Sequence, residues 1–320
     1  MGRNDYHGDW FCNLGDQSYS KAKKADGMTR RIIIWGIGKV GRALYEGLKH
    51  TSVGVNVVVG REASNQKSAE FLSRVVASNS EFQKNDILTT PNNYNASISG
   101  DSLAFWSAEE VLASSKDFLI PGDIVFVSVV DREIANIFKR CDVEGVTLVH
   151  SSGATGMVKV ENAQSGVFYP IQSFVGQGEE DWHRIPVFIE GSNEVVESIL
   201  TEIAKAMGVM SIEKLNSQQR AYLHLAGVFA NNYTMAMAGI AKDLLDSQGL
   251  NPDWVLPILT KTAENFGQGT PWALMTGPAS RADLTTIEHH RSMLENQPDM
   301  LSAYNAMAQY IINRPKDSSE

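Results

Sequence analysis

"RRIIIWGIGKVGRALYEGLKH" (residues 30–50) decides the fold of this 320-residue chain. Ile32, Ile33, Ile34 and Trp35 form a short continuous apolar run, the pattern of a strand buried on both faces of a parallel sheet. The residues that follow place Val40, Leu44 and Leu48 on one helical stripe. Between strand and helix stands Gly36-Ile37-Gly38-Lys39-Val40-Gly41. Gly36 permits a tight turn, and Gly38 lets the backbone approach a pyrophosphate with no side chain between them. Gly41 lets the helix pack close on the strand. The helix N-terminus then offers free N–H groups to the phosphate charge. In this strand–turn–helix setting the glycine pattern predicts dinucleotide binding.

Outward from this unit the alternation continues. "VNVVVG" (55–60), "IVFVSV" (124–129) and "GVTLVHSS" (145–152) read as strands, with "REIANIFKRCD" (132–142) as a helix between the last two. "GVFYPIQSF" and "IPVFIEG" add strands, and "NEVVESILTEIAKAMG" a covering helix. The pattern predicts a doubly wound parallel sheet of the Rossmann type. Near residue 215 the character changes to helix alone. "SQQRAYLHLAGVFANNYTMAMAGIAKDLLDSQG" (217–249) is apolar over much of its circumference, so deep burial is expected. Gly249 and Pro252 stop it. The fold class is therefore α/β, an N-terminal Rossmann domain over 29–214 followed by an all-α domain over 215–313. Residues 1–28 read as a flexible tail or the product of an upstream start, and 314–320 as a second tail.

Composition bounds the function. A net charge of −9 argues against nucleic acid and anionic membranes as partners, and no apolar run approaches the ~18 residues of a membrane span. Cys12 and Cys141 are far apart and form no disulfide or metal pattern, consistent with a reducing cytoplasm. No metal site is expected; His289 and His290 are adjacent and point in different directions.

The second strand ends in Gly60 and Arg61, with Ser64 close behind, where an NAD enzyme usually carries an acid. A guanidinium suits a 2′-phosphate, so NADPH is the expected cofactor. NADH stays open, because Glu62 could bind an unphosphorylated ribose. Ser128, Val129 and Val130 end the next cofactor-side strand and are assigned to the nicotinamide ribose; Asp131 is read as the N-cap of the following helix. His150, Ser151 and Ser152 end the strand after that, at the same edge.

On the long helix His224, Asn231 and Asn232 are spaced two turns apart, close to one face. Burying them costs about 1–3 kcal/mol each unless they find partners, and a satisfied core histidine is the plain alternative. In "TGPASRADLTTIEHH" (276–290) Gly277-Pro278 stops one helix and Asp283 can cap the next, with Thr286 and His290 further along it. Arg281 is the natural partner of a substrate carboxylate.

"VHSSGATG", "FYPIQSF", "YLHLAGVFANNYT" and "ALMTGPASRADLTTIEHH" resemble, in that order, the motifs of Rossmann-like proteins with a DUF2520 C-terminal domain. These are relatives of ketopantoate reductase and pyrroline-5-carboxylate reductase, with a helical domain like that of 6-phosphogluconate dehydrogenase. The likeness covers residues 29–313. Tyr169-Pro170 stands where His-Pro is common, which removes a histidine from that position. Arg281-Ala282-Asp283 stands where Arg-Gly-Asp is common, a mild change. The usual ketopantoate reductase lysine on the long helix is absent, and His224 occupies its region. The resemblance implies a homodimer built through the helical domain.

These readings converge on an oxidoreductase acting on CH–OH, an NADPH-dependent reductase of a small 2-oxo acid. Ketopantoate, in pantothenate biosynthesis, is the named substrate. His224 is the first candidate proton donor and His290 the second. Asn232 and Ser152 would orient the carbonyl, Arg281 would hold the carboxylate, and Asp283 would help keep a histidine protonated. The alternatives are a cyclic-imine reductase and a non-catalytic NADP(H)-binding regulatory protein.

Overall fold

The computed structural model describes residues 30–61, 66, 68, 70, 71, 73, 103–176, 180–268 and 271–314. Residues 1–28 and 315–320, Glu62 and Ser64 lie outside the described residues. The described chain forms two compact units, one reaching Gly227 and the other beginning at Val228. That division falls within the segment that sequence spacing assigned wholly to the helical part.

The first unit is built on eight strands: β1 (Ile32–Trp35), β2 (Val57–Gly60), β3 (Ala104–Ser107), β4 (Ile124–Val127), β5 (Thr147–His150), β6 (Gln164–Pro170), β7 (Val187–Gly191) and β8 (Ile212–Lys214). They lie in the order β3-β2-β1-β4-β5-β6-β7-β8. Every pair is parallel except β6 with β7. The first six strands follow the Rossmann order, whose reversal point lies between β1 and β4. The helices are α1 (Lys39–Leu48), α2 (Ala108–Ala113), α3 (Ser115–Phe118), α4 (Asp131–Arg140), α5 (Glu194–Ala206) and α6 (Ser217–Gly227).

Alternation along β1 shows why its sequence is apolar throughout. Ile32 and Ile34 pack with Leu44 and Leu48 of α1 and with Leu200 and Ile203 of α5. Ile33 and Trp35 face the opposite layer, with Ile134, Ile137 and Phe138 of α4. Both faces are covered, and each buried side chain contributes about 1.5–3 kcal/mol. β3 and β8 were not foreseen from sequence. β3 is four residues long, and its Phe105 and Trp106 are buried. β8 is a three-residue edge strand with two exposed positions.

α4 begins at Asp131, but the N-cap is Val130. Asp131 is exposed in the first helical turn, where its charge complements the helix dipole without capping it.

In the second unit a π-helical turn (Val228–Tyr233) leads into α7 (Thr234–Ser247), followed by α8 (Leu256–Phe266), α9 (Leu284–Met293) and α10 (Pro298–Asn313). The expectation of deep burial is corrected here. Among the described residues only Ile287, Leu294 and Ala308 of this unit are buried apolar side chains. Phe229, Met235, Trp254 and Ile258 are all more than half exposed. An apolar helix is buried only where another surface covers it, and among the described residues these side chains are exposed. The π turn also breaks the 3.6-residue phase, so spacing alone no longer puts Asn231 and Asn232 on the face of His224.

At the N-terminal ends of β1 and β4 the sheet is pinned by a buried ion pair. Arg31 Nε donates to Asp123 Oδ1 at 2.7 Å and Nη2 to Oδ2 at 2.5 Å. Arg31 also reaches the carbonyl of Phe118 at 2.9 Å. Burial pushes the Asp123 carboxyl above the usual range, and Arg31 opposes the shift. Removing one partner strands the other charge. Arg31→Ala is therefore expected to destabilise the chain by about 3–5 kcal/mol in denaturant unfolding, and a loss under 1 kcal/mol would show that the pair is dispensable.

Candidate cofactor and active site

The glycine turn after β1 is packed against backbone, and Arg42 Nε donates to its Ile37 carbonyl at 3.0 Å. Gly36 has φ +101°, and a Cβ there would meet the Ser128 carbonyl oxygen at 2.3 Å. A Cβ on Gly41 would stand 1.8 Å from the Gly36 carbonyl oxygen. Gly38 is different: a Cβ there would meet nothing within 4 Å, and the residue borders a cavity. The turn is crowded where chain meets chain and open where a ligand's phosphates would lie.

That cavity measures about 730 Å³ and sits at the carboxyl ends of β1, β2, β4 and β5. Its floor is Gly36, Ile37, Gly38, Lys39 and Val40, and its β2 wall is Val59, Gly60 and Arg61. Ser128, Val129, Val130 and Asp131 line the β4 side, and Ser151 and Ser152 the β5 side. Gly41 lies beneath the floor, buried. Lys39 and Arg61 bring positive charge to one part of the wall, while Asp131 and Glu133 bring negative charge to the α4 side.

Two buried hydroxyls in this wall, Ser128 Oγ and Ser151 Oγ, have no hydrogen-bond partner among the described residues. An unmade buried bond costs about 1–3 kcal/mol, and a polar ligand in the cavity would recover it. The cradle, the cations and the orphaned hydroxyls all fit a dinucleotide.

The two serines after β5 have different employment. Ser152 Oγ accepts from Ala154 N at 3.2 Å and Thr155 N at 2.9 Å, and bonds Thr155 Oγ1 at 3.0 Å. Its hydroxyl is engaged in the turn. Ser151 carries the free hydroxyl. The Ser-x-x-Thr spacing over 152–155 is the available sign of such a turn.

His150 is buried completely. Its Nδ1 accepts from Ser152 N at 3.2 Å, and its Nε2 pairs with the Gly156 carbonyl at 3.2 Å. It is a structural histidine, although it ends a strand at the cavity edge.

Behind this turn lies a polar clamp. Arg220 on α6 is 1% exposed and bonds the Thr155 carbonyl at 2.7 Å. It also pairs with Glu190 of β7. Ser217 Oγ donates to Glu190 at 3.0 Å and accepts from Met157 N at 3.0 Å. One helical turn after Arg220, His224 is half-buried and meets Tyr169 of β6, Nδ1 to Oη at 3.2 Å. Tyr169, which stands where His-Pro is common, is thus the partner of His224.

The remaining candidates belong to the helical unit. Asn232 is exposed and accepts from Asn231 Nδ2 at 3.3 Å. Asp283 caps α9, accepting from Thr286 N at 3.1 Å and Thr286 Oγ1 at 2.7 Å. These bonds hold its carboxyl below the usual range. His290 Nδ1 pairs with Tyr304 Oη at 3.0 Å, so its described partner is a tyrosine where Asp283 was expected. Arg281 is exposed. Ala282, between them, has φ 53°, the one non-glycine residue among those described in the left-handed region. The change from glycine is therefore a strained one.

Burial and the charge of Arg220 push His150 down to about 4. The unfolded chain binds this proton near pH 6.5 and the folded chain only near 4. Stability is thus complete above about pH 6.5 and is lost as pH falls toward 4. Between pH 7 and 4.5 the stability advantage of wild type over His150→Gln should shrink by about 2 kcal/mol in urea unfolding; a constant difference would remove His150 as the cause.

No curated protein matches the sequence. Over 89% of this chain and 98% of its own, "putative NADP oxidoreductase BF3122 from Bacteroides fragilis" is similar, with 27% identity and a TM-score of 0.71. Protein TM1727 from Thermotoga maritima is similar over 88% of this chain and 96% of its own, at 20% identity and a TM-score of 0.58. An NADH-preferring ketol-acid reductoisomerase from an uncultured archean shares the fold at 13% identity and a TM-score of 0.51, over 88% of this chain and 82% of its own. Residues 185–311, from the approach to β7 through most of α10, match the model of the domain of unknown function DUF2520.

Proposed function

We infer that the chain is an NADPH-dependent oxidoreductase that reduces the carbonyl of a small 2-oxo acid, with ketopantoate the first substrate to try. The observation that carries this reading is Arg61 at the end of β2, in the wall of a cavity floored by the glycine turn. A guanidinium there suits a 2′-phosphate, which it can grip with paired charge-assisted bonds. The likeness to the Bacteroides fragilis protein, described as a "putative NADP oxidoreductase", points the same way.

A nicotinamide cofactor held by the glycine turn and Arg61 would supply hydride. The chain supplies the rest. Gly38 leaves room for the pyrophosphate, and Ser128 and Ser151 offer unpaired hydroxyls to the ligand. His224, beside the Ser151–Gly153 turn, is the donor that protonates the developing alkoxide. On chemical grounds Arg281 is assigned to the carboxylate, Asn232 to the carbonyl, and His290 is the second donor candidate. Following NADPH absorbance against ketopantoate, other 2-oxo acids and pyrroline-5-carboxylate tests the whole reading. With any acid turned over, His224→Ala should lower kcat by about 10²–10⁴; an unchanged kcat would remove it from the mechanism. Arg61→Ala should raise the KM for NADPH and spare that for NADH, and equal losses would overturn the cofactor assignment.

The helical unit also supports a homodimer as the functional form. Trp254, Ile258 and Phe266 are 65%, 69% and 69% exposed, large apolar surface of the kind that marks association sites. Sedimentation should give twice the chain mass, and Ile258→Asp should shift the population toward monomer. A wild type that sediments as a monomer at micromolar concentration would refute the assembly.

A further inference from the structure

We propose that Tyr169 is a positioning residue: it holds the His224 ring through Nδ1 and leaves Nε2 as the atom that exchanges a proton with substrate. The proposal rests on the carbonyl-reductase reading of the cavity. Tyr169 Oη and His224 Nδ1 are 3.2 Å apart, and the two rings meet edge-on, centroids 6.2 Å apart and planes at 68°. Both press on Gly153, where a Cβ would stand 2.7 Å from Nδ1 and 2.8 Å from Oη. The pair therefore closes over the turn that continues from Ser151 and Ser152, two residues of the cavity wall.

Neither side chain arrives by chance. Tyr169 is next to last in β6 and is paired in register with Phe188 of β7. His224 follows, by one turn, an arginine fixed to Glu190 and to the Thr155 carbonyl. Among the described residues neither ring has another hydrogen-bond partner.

A histidine protonates an alkoxide as imidazolium, through one nitrogen, while the other nitrogen keeps its hydrogen and its partner. Nδ1–H donating to the phenol oxygen meets that need. The Nε2–H bond breaks, its proton joins a lone pair of the substrate oxygen to form the hydroxyl, and the ring is left neutral. The Nδ1–H bond to Tyr169 is the same before and after, so the ring has no reason to turn. Water returns the proton to Nε2. Burial keeps Tyr169 protonated by raising its pKa, so the phenol orients the imidazole without placing a charge beside it.

The test is the tautomer of His224 in the full chain labelled with [¹⁵N]histidine, its signals identified by their loss in His224→Gln. The neutral ring of the wild type should carry its hydrogen on Nδ1. In Tyr169→Phe it should move to Nε2, and kcat with a 2-oxo acid should fall about tenfold or more at an unchanged KM for NADPH. A wild-type ring with Nδ1 bare, or a tautomer identical in the two proteins, overturns the role of Tyr169, and the wild-type spectrum decides even if the variant misfolds. A wild type that oxidises NADPH with none of the acids overturns the functional reading alone, since the tautomer is read without cofactor or substrate.

Discussion

Three stretches of backbone meet at the end of β1 with no side chain between them. A Cβ on Gly41 would lie 1.8 Å from the Gly36 carbonyl oxygen, and one on Gly36 would lie 2.3 Å from the Ser128 carbonyl oxygen. The sheet, the first helix and the strand across the reversal point can be this close only because glycine stands at both places. The same contact orders the ligand side. Gly36 N donates to the Val59 carbonyl at 2.8 Å and Ser128 N to the Trp35 carbonyl at 2.7 Å. The ends of β1, β2 and β4 are thereby brought level, and the cavity opens above them.

A second polar device fixes the far wall. The buried Arg220–Glu190 pair would be poor evidence of stability by itself, because desolvating two charges offsets most of their attraction. Its effect here is geometric. Arg220 also bonds the Thr155 carbonyl, and Ser217 bonds both Glu190 and Met157 N. Three segments distant in sequence, β7, α6 and the loop after β5, become one body. His150 is held toward its neutral form in this body, first because burial disfavours the charged imidazole and second because Arg220 repels it.

The architecture was legible where periodicity and glycine chemistry agree. "IIIWGIGKVG" encodes a two-faced strand, a turn and a helix start, and each level points to one answer. The register of β1 with β2 and β4 follows. Burial of the helical segment was not legible, since an apolar face states that it needs cover and is silent on whether the cover comes from the same chain. Nor was the π turn: Val228–Tyr233 carries no proline or other punctuating signal, and the extra residue per turn is settled by packing. At the site, composition could not divide the labour of Ser151 and Ser152, which turn chemistry separates. The sequence pattern removed a histidine from position 169 and was silent on the contact that Tyr169 makes with His224.

The loop before α9 shows how such a chain stores strain. An alanine in the left-handed region costs about 1–2 kcal/mol, and Ala282 takes that conformation with φ 53°. What holds it there is the cap: Asp283 binds Thr286 through both backbone and hydroxyl, and Asp283 N donates to the Pro278 carbonyl at 2.9 Å. A helix cap contributes about 1 kcal/mol, so the turn offsets its own strain to a large extent. Arg281, an exposed residue, immediately precedes this strained position. Its charge also acts on the cap itself, since Arg281 helps hold the Asp283 carboxyl low, after the two bonds from Thr286.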